Sequence, residues 1–198
     1  LSTNLQFMKN FLIILILSLL FVIPSQAEDI QDFQIGEISI YDNLLTKSSN
    51  INRSVNAIKA KELFYFPKSK KFRGLSFNVD AKPYEAIQFL VDKDYKIYSV
   101  GGRIIKPFKN DLKKCYGKME EIYNELENTF PNASSVKGKE RRHMYNSKAT
   151  VKKHELKFSS GGEVSVRCTD WPDDARTPDG LKVTINSAEA RYWLDNEA

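Results

Sequence analysis

The segment from Asp111 to Phe130 constrains the fold of this chain more than any other part of the sequence. Its apolar residues recur at the three-four-three spacing that places side chains on one face of an α-helix: Leu112, Cys115, Tyr116, Met119, Ile122, Tyr123, Leu126 and Phe130. Lysines and glutamates fill the opposite face, and Pro131 ends the pattern. We therefore predict a long amphipathic helix that needs an apolar surface to pack against.

The segments on both sides of this helix alternate apolar and polar residues, as half-buried β-strands do. Strand patterns lie at 63–66, 75–79, 86–91, 95–100, 156–158, 164–168 and 181–185. Asp92-Lys93-Asp94 is too short for anything but a hairpin connection, which predicts an antiparallel sheet. Short helices are predicted at 39–45, after a capping-box pair of Ser39 and Asp42, at 51–61, and after Ser187.

The two cysteines connect these predictions. Cys115 falls on the apolar face of the predicted helix and Cys168 on the apolar face of a predicted strand, so a helix packed on the sheet would bring both sulfurs together. In an exported protein such a pair indicates a disulfide, worth roughly 4 kcal/mol for its loop length. Two separate buried thiols are the alternative. The predicted fold is α+β: an antiparallel sheet of about six strands, the long helix on one face, and short helices near both ends.

The N-terminus has the pattern of a secretory signal peptide. Met8-Lys9-Asn10 supplies a positive charge, 11–23 is apolar except for Ser18, and small residues precede a cleavage position after Ala27. A retained membrane anchor is the alternative, but spanning takes about 20 apolar residues. We expect an upstream extension at 1–7, a signal peptide at 8–27 and a single exported α+β domain at 28–198, located in a bacterial periplasm. Membrane contact would come only through an uncleaved leader.

Patterns that carry catalysis are missing from the sequence. It has no Gly-x-Ser-x-Gly elbow, no phosphate-binding glycine loop, no His-Glu-x-x-His and no Cys-x-x-Cys. We therefore predict no catalytic residue, no cofactor and no metal site. His143 and His154 lie among basic residues with no carboxylate to orient them, which predicts surface positions.

The loop at 169–180 is the densest acidic feature, and it contains Asp170, Asp173, Asp174 and Asp179. Four carboxylates could hold a hard cation such as calcium, but their spacing matches no calcium loop, and prolines already explain the segment as a rigid connection. Trp171 in this loop is expected in the core. A contact with a ligand is its alternative role.

A basic segment at 137–153 is the main positive feature of a chain with 30 Lys and Arg against 25 Asp and Glu. It lacks an apolar period, so we predict an exposed loop. Candidate contacts for an anion are Lys137, Lys139, Arg141, Arg142, Lys152 and Lys153. In an envelope, the anionic partner would be a phospholipid head group, a phosphorylated glycolipid or an acidic protein surface. No nucleic acid is expected there. A solvated loop without a specific role is the favoured interpretation, and a specific contact with an anion is its alternative.

The sequence resembles a group of small exported bacterial proteins that have no assigned activity. The resemblance lies in Cys168-Thr169-Asp170-Trp171, in 193–198, and in Phe33, Ile35, Ser39, Ile40, Asp42, Leu44 and Leu45. The group tends to have Gly after the Ser-Ile pair, where this chain has Tyr41. The resemblance implies an envelope location and no catalytic residues.

Two hypotheses of function follow. The first is a non-enzymatic periplasmic binding or interaction protein, favoured because the catalytic patterns are missing. Its partner would be an anionic envelope component or another protein. The second is a carboxylate-dependent envelope hydrolase or transferase that uses acids of the 169–180 loop such as Asp170 and Asp174, which would require a cleft and a raised pKa.

Overall fold

A computed structural model describes residues 30–61, 64–65, 69–143, 146–175 and 178–198. The predicted upstream extension and signal peptide lie outside the described residues, as do Leu63 and Phe66 of the first predicted strand. Within the described ranges, no helix is long and apolar enough to cross a membrane.

One antiparallel sheet of nine strands organises the described part of the chain. The strands are β1 (Phe64–Tyr65), β2 (Arg73–Ala81), β3 (Tyr84–Val91), β4 (Ile97–Ile104), β5 (Ser134–Lys137), β6 (Arg141–His143), β7 (Asn146–Lys157), β8 (Glu163–Asp170) and β9 (Gly180–Asn186). Their order across the sheet is β1-β2-β3-β4-β9-β8-β7-β5, and β6 also pairs with β7. The last strand in the chain therefore lies inside the sheet, between β4 and β8.

The expectation of about six strands was too low, mainly because residues 137–153 are not a loop. They run through β5, β6 and most of β7, and β7 pairs with β8 from Thr150 to Lys157. The sequence of β7 shows little alternation of apolar and polar residues, because most of its side chains are basic or polar. Its fully buried residues are Ala149, Val151, His154 and Leu156. Backbone pairing on both sides of β7, with β8 and with β5 and β6, stabilises a strand that its own side chains do not predict.

Three α-helices accompany the sheet in the described residues: α1 (Val55–Ala60), α2 (Leu112–Thr129) and α3 (Ala188–Asn196). The predicted long helix is confirmed as α2, which begins after Asp111, whose carboxylate accepts a hydrogen bond from the Lys114 amide at 2.9 Å. The final helix is confirmed as α3, with Ser187 as its N-cap. The helix predicted over 51–61 is shorter, because α1 begins only at Val55.

The helix predicted at 39–45 is wrong, and this segment forms turns instead. The Asp42 carboxylate does accept a hydrogen bond from the Ser39 amide at 2.9 Å, as a capping box requires. The Ser39 hydroxyl, however, donates to the carbonyls of Gln31 and Phe33, at 2.8 and 3.0 Å. It therefore ties this segment to the preceding chain and does not cap a helix.

The long helix covers one face of the sheet, where it packs against β7, β8 and β9. Cys115 of α2 and Cys168 of β8 form a disulfide, with their Cα atoms 6.0 Å apart and both residues buried. The predicted disulfide and the α+β fold class are thus confirmed. The main apolar core lies between α2, this face and the N-terminal segment.

A smaller apolar cluster occupies one end of the opposite face. Trp193 of α3 packs there with Phe72 and Leu90, and its ring lies edge-on to Phe72 at 5.2 Å between centroids. The Trp193 indole N–H donates to the Ser69 hydroxyl at 2.8 Å. Beyond this cluster, polar and charged residues of β4, β8 and β9 occupy the same face.

Candidate anion-binding pocket

Three cationic residues occupy facing positions on three neighbouring central strands. Arg103 of β4 lies opposite Lys182 of β9, and Lys182 lies opposite Arg167 of β8. The residues that flank them on their strands, such as Val166, Cys168, Leu181 and Val183, belong to the core beneath α2. Since successive side chains on a strand point to opposite faces, the three cations project from the face that α2 leaves uncovered.

These cations have few partners in the described part of the chain. The Lys182 ammonium donates to the Gln88 side-chain oxygen at 2.7 Å, and Arg103 donates to the Pro178 carbonyl at 3.3 Å. The Nε atom of Arg167 is buried and has no hydrogen-bond partner among the described residues. None of the ion pairs between described residues includes Arg103, Arg167 or Lys182. No carboxylate of a described residue therefore lies within ion-pair distance of this row.

Burial lowers the pKa of all three side chains, and neighbouring cations contribute to the shifts of Lys182 and Arg167. Burial, together with the charges of Arg167 and Arg103, lowers the pKa of Lys182 well below its usual value. Burial and the charge of Arg103 also lower the pKa of Arg167. Burial lowers the pKa of Arg103, and the charge of Glu85 offsets part of that effect. Like charges directly opposite each other in a sheet are destabilising, so an anion placed among them would relieve the repulsion.

A pocket of about 190 Å³ opens at this row. Its lining residues are Gln88, Arg103, Arg167, Thr169, Trp171, Gly180 and Lys182. Gly101 makes room for the Lys182 side chain, because a Cβ built there would lie 2.6 Å from Cε of that lysine. No carboxylate is among the described residues that line the pocket. We call this group the cationic pocket.

Trp171 lies at the edge of the core in this structure. It is half-buried, lines the cationic pocket, and its ring centroid is 4.6 Å from that of His143. Its backbone amide donates to the Asp179 carboxylate at 2.6 Å, which fixes the start of the 169–180 loop. The position fits the alternative prediction, a ligand contact, better than the expected core position.

Five of the six basic residues predicted to contact an anion lie away from this row, along β5, β6, β7 and the 138–140 connection, whereas Lys153 of β7 lies opposite Arg167 in the sheet. Three of them already have acidic partners: Lys137 with Glu127 at 3.3 Å, Lys152 with Glu120 at 2.9 Å, and Lys153 with Glu155 and Glu163. Lys139, Arg141 and Arg142 are exposed. None of the six is among the described lining residues of the cationic pocket, and their contact with an anion stays a prediction.

The surface position predicted for His154 is wrong. It is only 1% exposed, its Nε2 lies 2.9 Å from a Glu120 carboxylate oxygen, and its Nδ1 accepts a hydrogen bond from the Gly138 amide at 3.2 Å. The Tyr123 ring packs against it at 4.9 Å between centroids. Glu120 comes from α2, so the carboxylate that contacts His154 is supplied by the helix packed on this face of the sheet. His143 is half-buried, and burial, Arg167 and Arg141 lower its pKa.

The acids of the 169–180 loop point in different directions. Asp179 accepts hydrogen bonds from the amides of Trp171 and Asn110, and Asp174 is exposed and pairs with Lys148 at 3.7 Å. Burial raises the pKa of Asp170, with further contributions from Asp179, Glu140 and Asp173. Among the described residues, no group of three or more His, Cys, Asp and Glu is arranged to hold a metal ion.

Sequence reasoning did not single out Arg103, Arg167 and Lys182. Each occupies the polar position of an alternating strand, as in Val166-Arg167-Cys168 and Leu181-Lys182-Val183, which predicts a solvent-facing side chain. Their charge became informative only when the pairing of β4 with β9 placed them side by side.

No protein-family model, curated protein or solved structure matches this chain. The resemblance to small exported bacterial proteins stays a prediction. Function is therefore inferred from the chemistry of the pocket and its surroundings.

Proposed function

We propose that this protein is a non-enzymatic binding protein of the bacterial periplasm, which binds an anionic ligand in the cationic pocket. The observation that carries the proposal is the row of Arg103, Lys182 and Arg167 on the uncovered face of the sheet, without a carboxylate partner among the described residues. The ligand would be an anionic component of the envelope or an acidic group on another protein.

The energetics of buried charge support this proposal. Removing a cation from water is costly unless an opposite charge or hydrogen-bond acceptors replace the water. The three residues are half-buried in the pocket wall. Arg103 and Lys182 have only neutral described acceptors, and the buried Nε of Arg167 has none. An anion in the pocket would supply the missing acceptors and the missing negative charge in one step.

Export is supported by the Cys115–Cys168 disulfide, since such bonds persist in oxidising compartments and are rare in cytosolic proteins. Cleavage of the leader after Ala27 and a periplasmic location remain proposals. A mass measurement on protein from the native envelope fraction, with and without reduction before alkylation, tests both. A mass that begins at Glu28, with both thiols blocked until reduction, is the expected result.

Titration calorimetry with a panel of small anions tests the binding function. Phosphate, sulfate, succinate and citrate are each titrated into the wild type and into the Arg167→Gln and Lys113→Gln variants. Lys113 is an exposed cation of α2 and is the matched control for the loss of one charge. We expect saturable binding of at least one anion that Arg167→Gln weakens and Lys113→Gln retains. Absence of saturable binding to the wild type, or equal loss in both variants, would refute the proposal.

A hydrolase or transferase is the second candidate, and the raised pKa of Asp170 favours it. That carboxyl group neighbours the charges of Asp179, Glu140 and Asp173, an arrangement that can keep one acid protonated. If it acts as a general acid, Asp170→Asn should abolish turnover of a chromogenic ester or phosphate ester and leave anion binding intact. Turnover that survives this substitution would exclude the role.

A further inference from the structure

The cationic pocket is suited to one class of anion more than to others. Two arginines, one lysine and the buried Thr169 line a common space. A phosphate monoester carries a charge of about −1.5 to −2 near neutral pH and three strong acceptor oxygens, whereas a single carboxylate carries one charge on a planar group. Arginine in particular forms paired hydrogen bonds with phosphate. Three cations facing one another match the phosphate better.

The size of the pocket limits how much of a ligand it encloses. Its volume of about 190 Å³ is below the roughly 300 to 1,000 Å³ of pockets that enclose a whole drug-sized molecule. It therefore suits a charged head group, with the rest of the ligand outside. Trp171 borders the same space, and its ring packs against His143. The rest of the Trp171 ring can pack against the part of the ligand that is attached to the charged head group.

We propose that the cationic pocket binds the terminal phosphate of a phosphorylated organic molecule and that Trp171 packs against the group next to that phosphate. This inference rests on the function proposed above and specifies its ligand class. Free phosphate, a phosphorylated sugar and a lipid with a phosphomonoester head group share this chemistry, so the experiment must separate them.

The titrations use inorganic phosphate, phenyl phosphate and glucose 6-phosphate, with succinate and citrate as non-phosphate anions. A flotation assay compares phosphatidylcholine vesicles that contain phosphatidic acid, a monoester, with vesicles that contain phosphatidylglycerol, a diester. We expect the organic phosphomonoesters to bind more tightly than inorganic phosphate, succinate or citrate. Flotation with phosphatidic acid alone would identify a lipid source, and binding of the soluble esters without flotation would identify a soluble source.

Four variants assign the binding to named groups. Arg167→Lys keeps the positive charge but removes the paired N–H donors of the guanidinium group. We expect on the order of tenfold weaker binding of phosphomonoesters. Gly101→Ala keeps every charge but displaces the Lys182 side chain, and it should also weaken binding. Trp171→Ala should weaken the organic esters and leave inorganic phosphate unchanged. Lys113→Gln should change none of these affinities. Because Gly101→Ala and Arg167→Lys alter the pocket differently, loss of folding in one leaves the other informative.

The outcomes distinguish the ligand class from the binding function. If succinate or citrate binds as tightly as the phosphomonoesters, with the same dependence on Arg167, the binding function stands and the phosphate inference is wrong. If Trp171→Ala weakens inorganic phosphate as much as phenyl phosphate, the role of Trp171 is wrong. If no anion binds with a dependence on Arg167, both the inference and the proposed function fail.

Discussion

Replacing both Cys115 and Cys168 by alanine should lower the stability of this protein by about 4 kcal/mol. The two residues are 53 positions apart, and in the chain-entropy model a bond across that separation removes roughly 4 kcal/mol of conformational freedom from the unfolded chain. For a protein of this size such a loss corresponds to a melting temperature lower by roughly 8 to 16 °C. The bond joins α2 to β8, so its loss removes the covalent link between the helix and the sheet.

Urea unfolding followed by tryptophan fluorescence measures this loss, and reduced wild-type protein is the control. Reduction opens the bond but keeps both sulfur atoms in the core, where Cys115 is 1% and Cys168 0% exposed. We therefore expect the reduced protein to lose most of the 4 kcal/mol and the double alanine variant to lose somewhat more, because it also creates a cavity. A loss below about 1 kcal/mol in both proteins would refute an entropic role for the bond.

Three further substitutions test the packing, capping and charge described above. Gly102→Ala should lower the free energy of unfolding in urea by about 1 to 3 kcal/mol, because its Cβ would lie 2.4 Å from the Tyr84 ring. An unchanged urea midpoint would contradict that contact. Asp111→Ala should cost about 1 kcal/mol through the lost cap of α2, and Asp111→Asn should restore most of it. Hydrogen bonds from His154 and Lys152 lower the pKa of Glu120. The ionised Glu120 therefore stabilises the fold above its usual pKa, and this stabilisation is lost as pH falls through its lower folded-state pKa. Between about pH 5 and pH 3, the urea midpoint of Glu120→Gln should fall less than that of the wild type. Equal falls in the two proteins would refute the pairing.

The parts of the fold that were predicted from sequence are those with a strong local signal. The helix over 111–130 and the hairpin at 92–94 are confirmed because an apolar period and a short polar turn each decide the structure locally. β5, β6 and the part of β7 before residue 156 were missed because their strand character comes from neighbouring strands and not from their own side chains.

The site depends on long-range pairing even more strongly. Arg103 and Lys182 are far apart in sequence, and only the pairing of β4 with β9 makes their charges neighbours. In the same way, the burial of His154 follows from a carboxylate on α2 that no local pattern could identify. Local patterns therefore predicted the separate elements, and the chemistry that arises between them required the structure.

The position of β9 inside the sheet also determines when the protein can finish folding. Among the described residues, the strands before α2 join those after it only through the pairs that β9 makes with β4 and β8. The two halves of the sheet therefore stay separate until residues 180–186 are available. Closing contacts across so long a stretch of chain is slow compared with forming a hairpin or a helix. Until then the hairpins of each half can form, but the continuous sheet cannot.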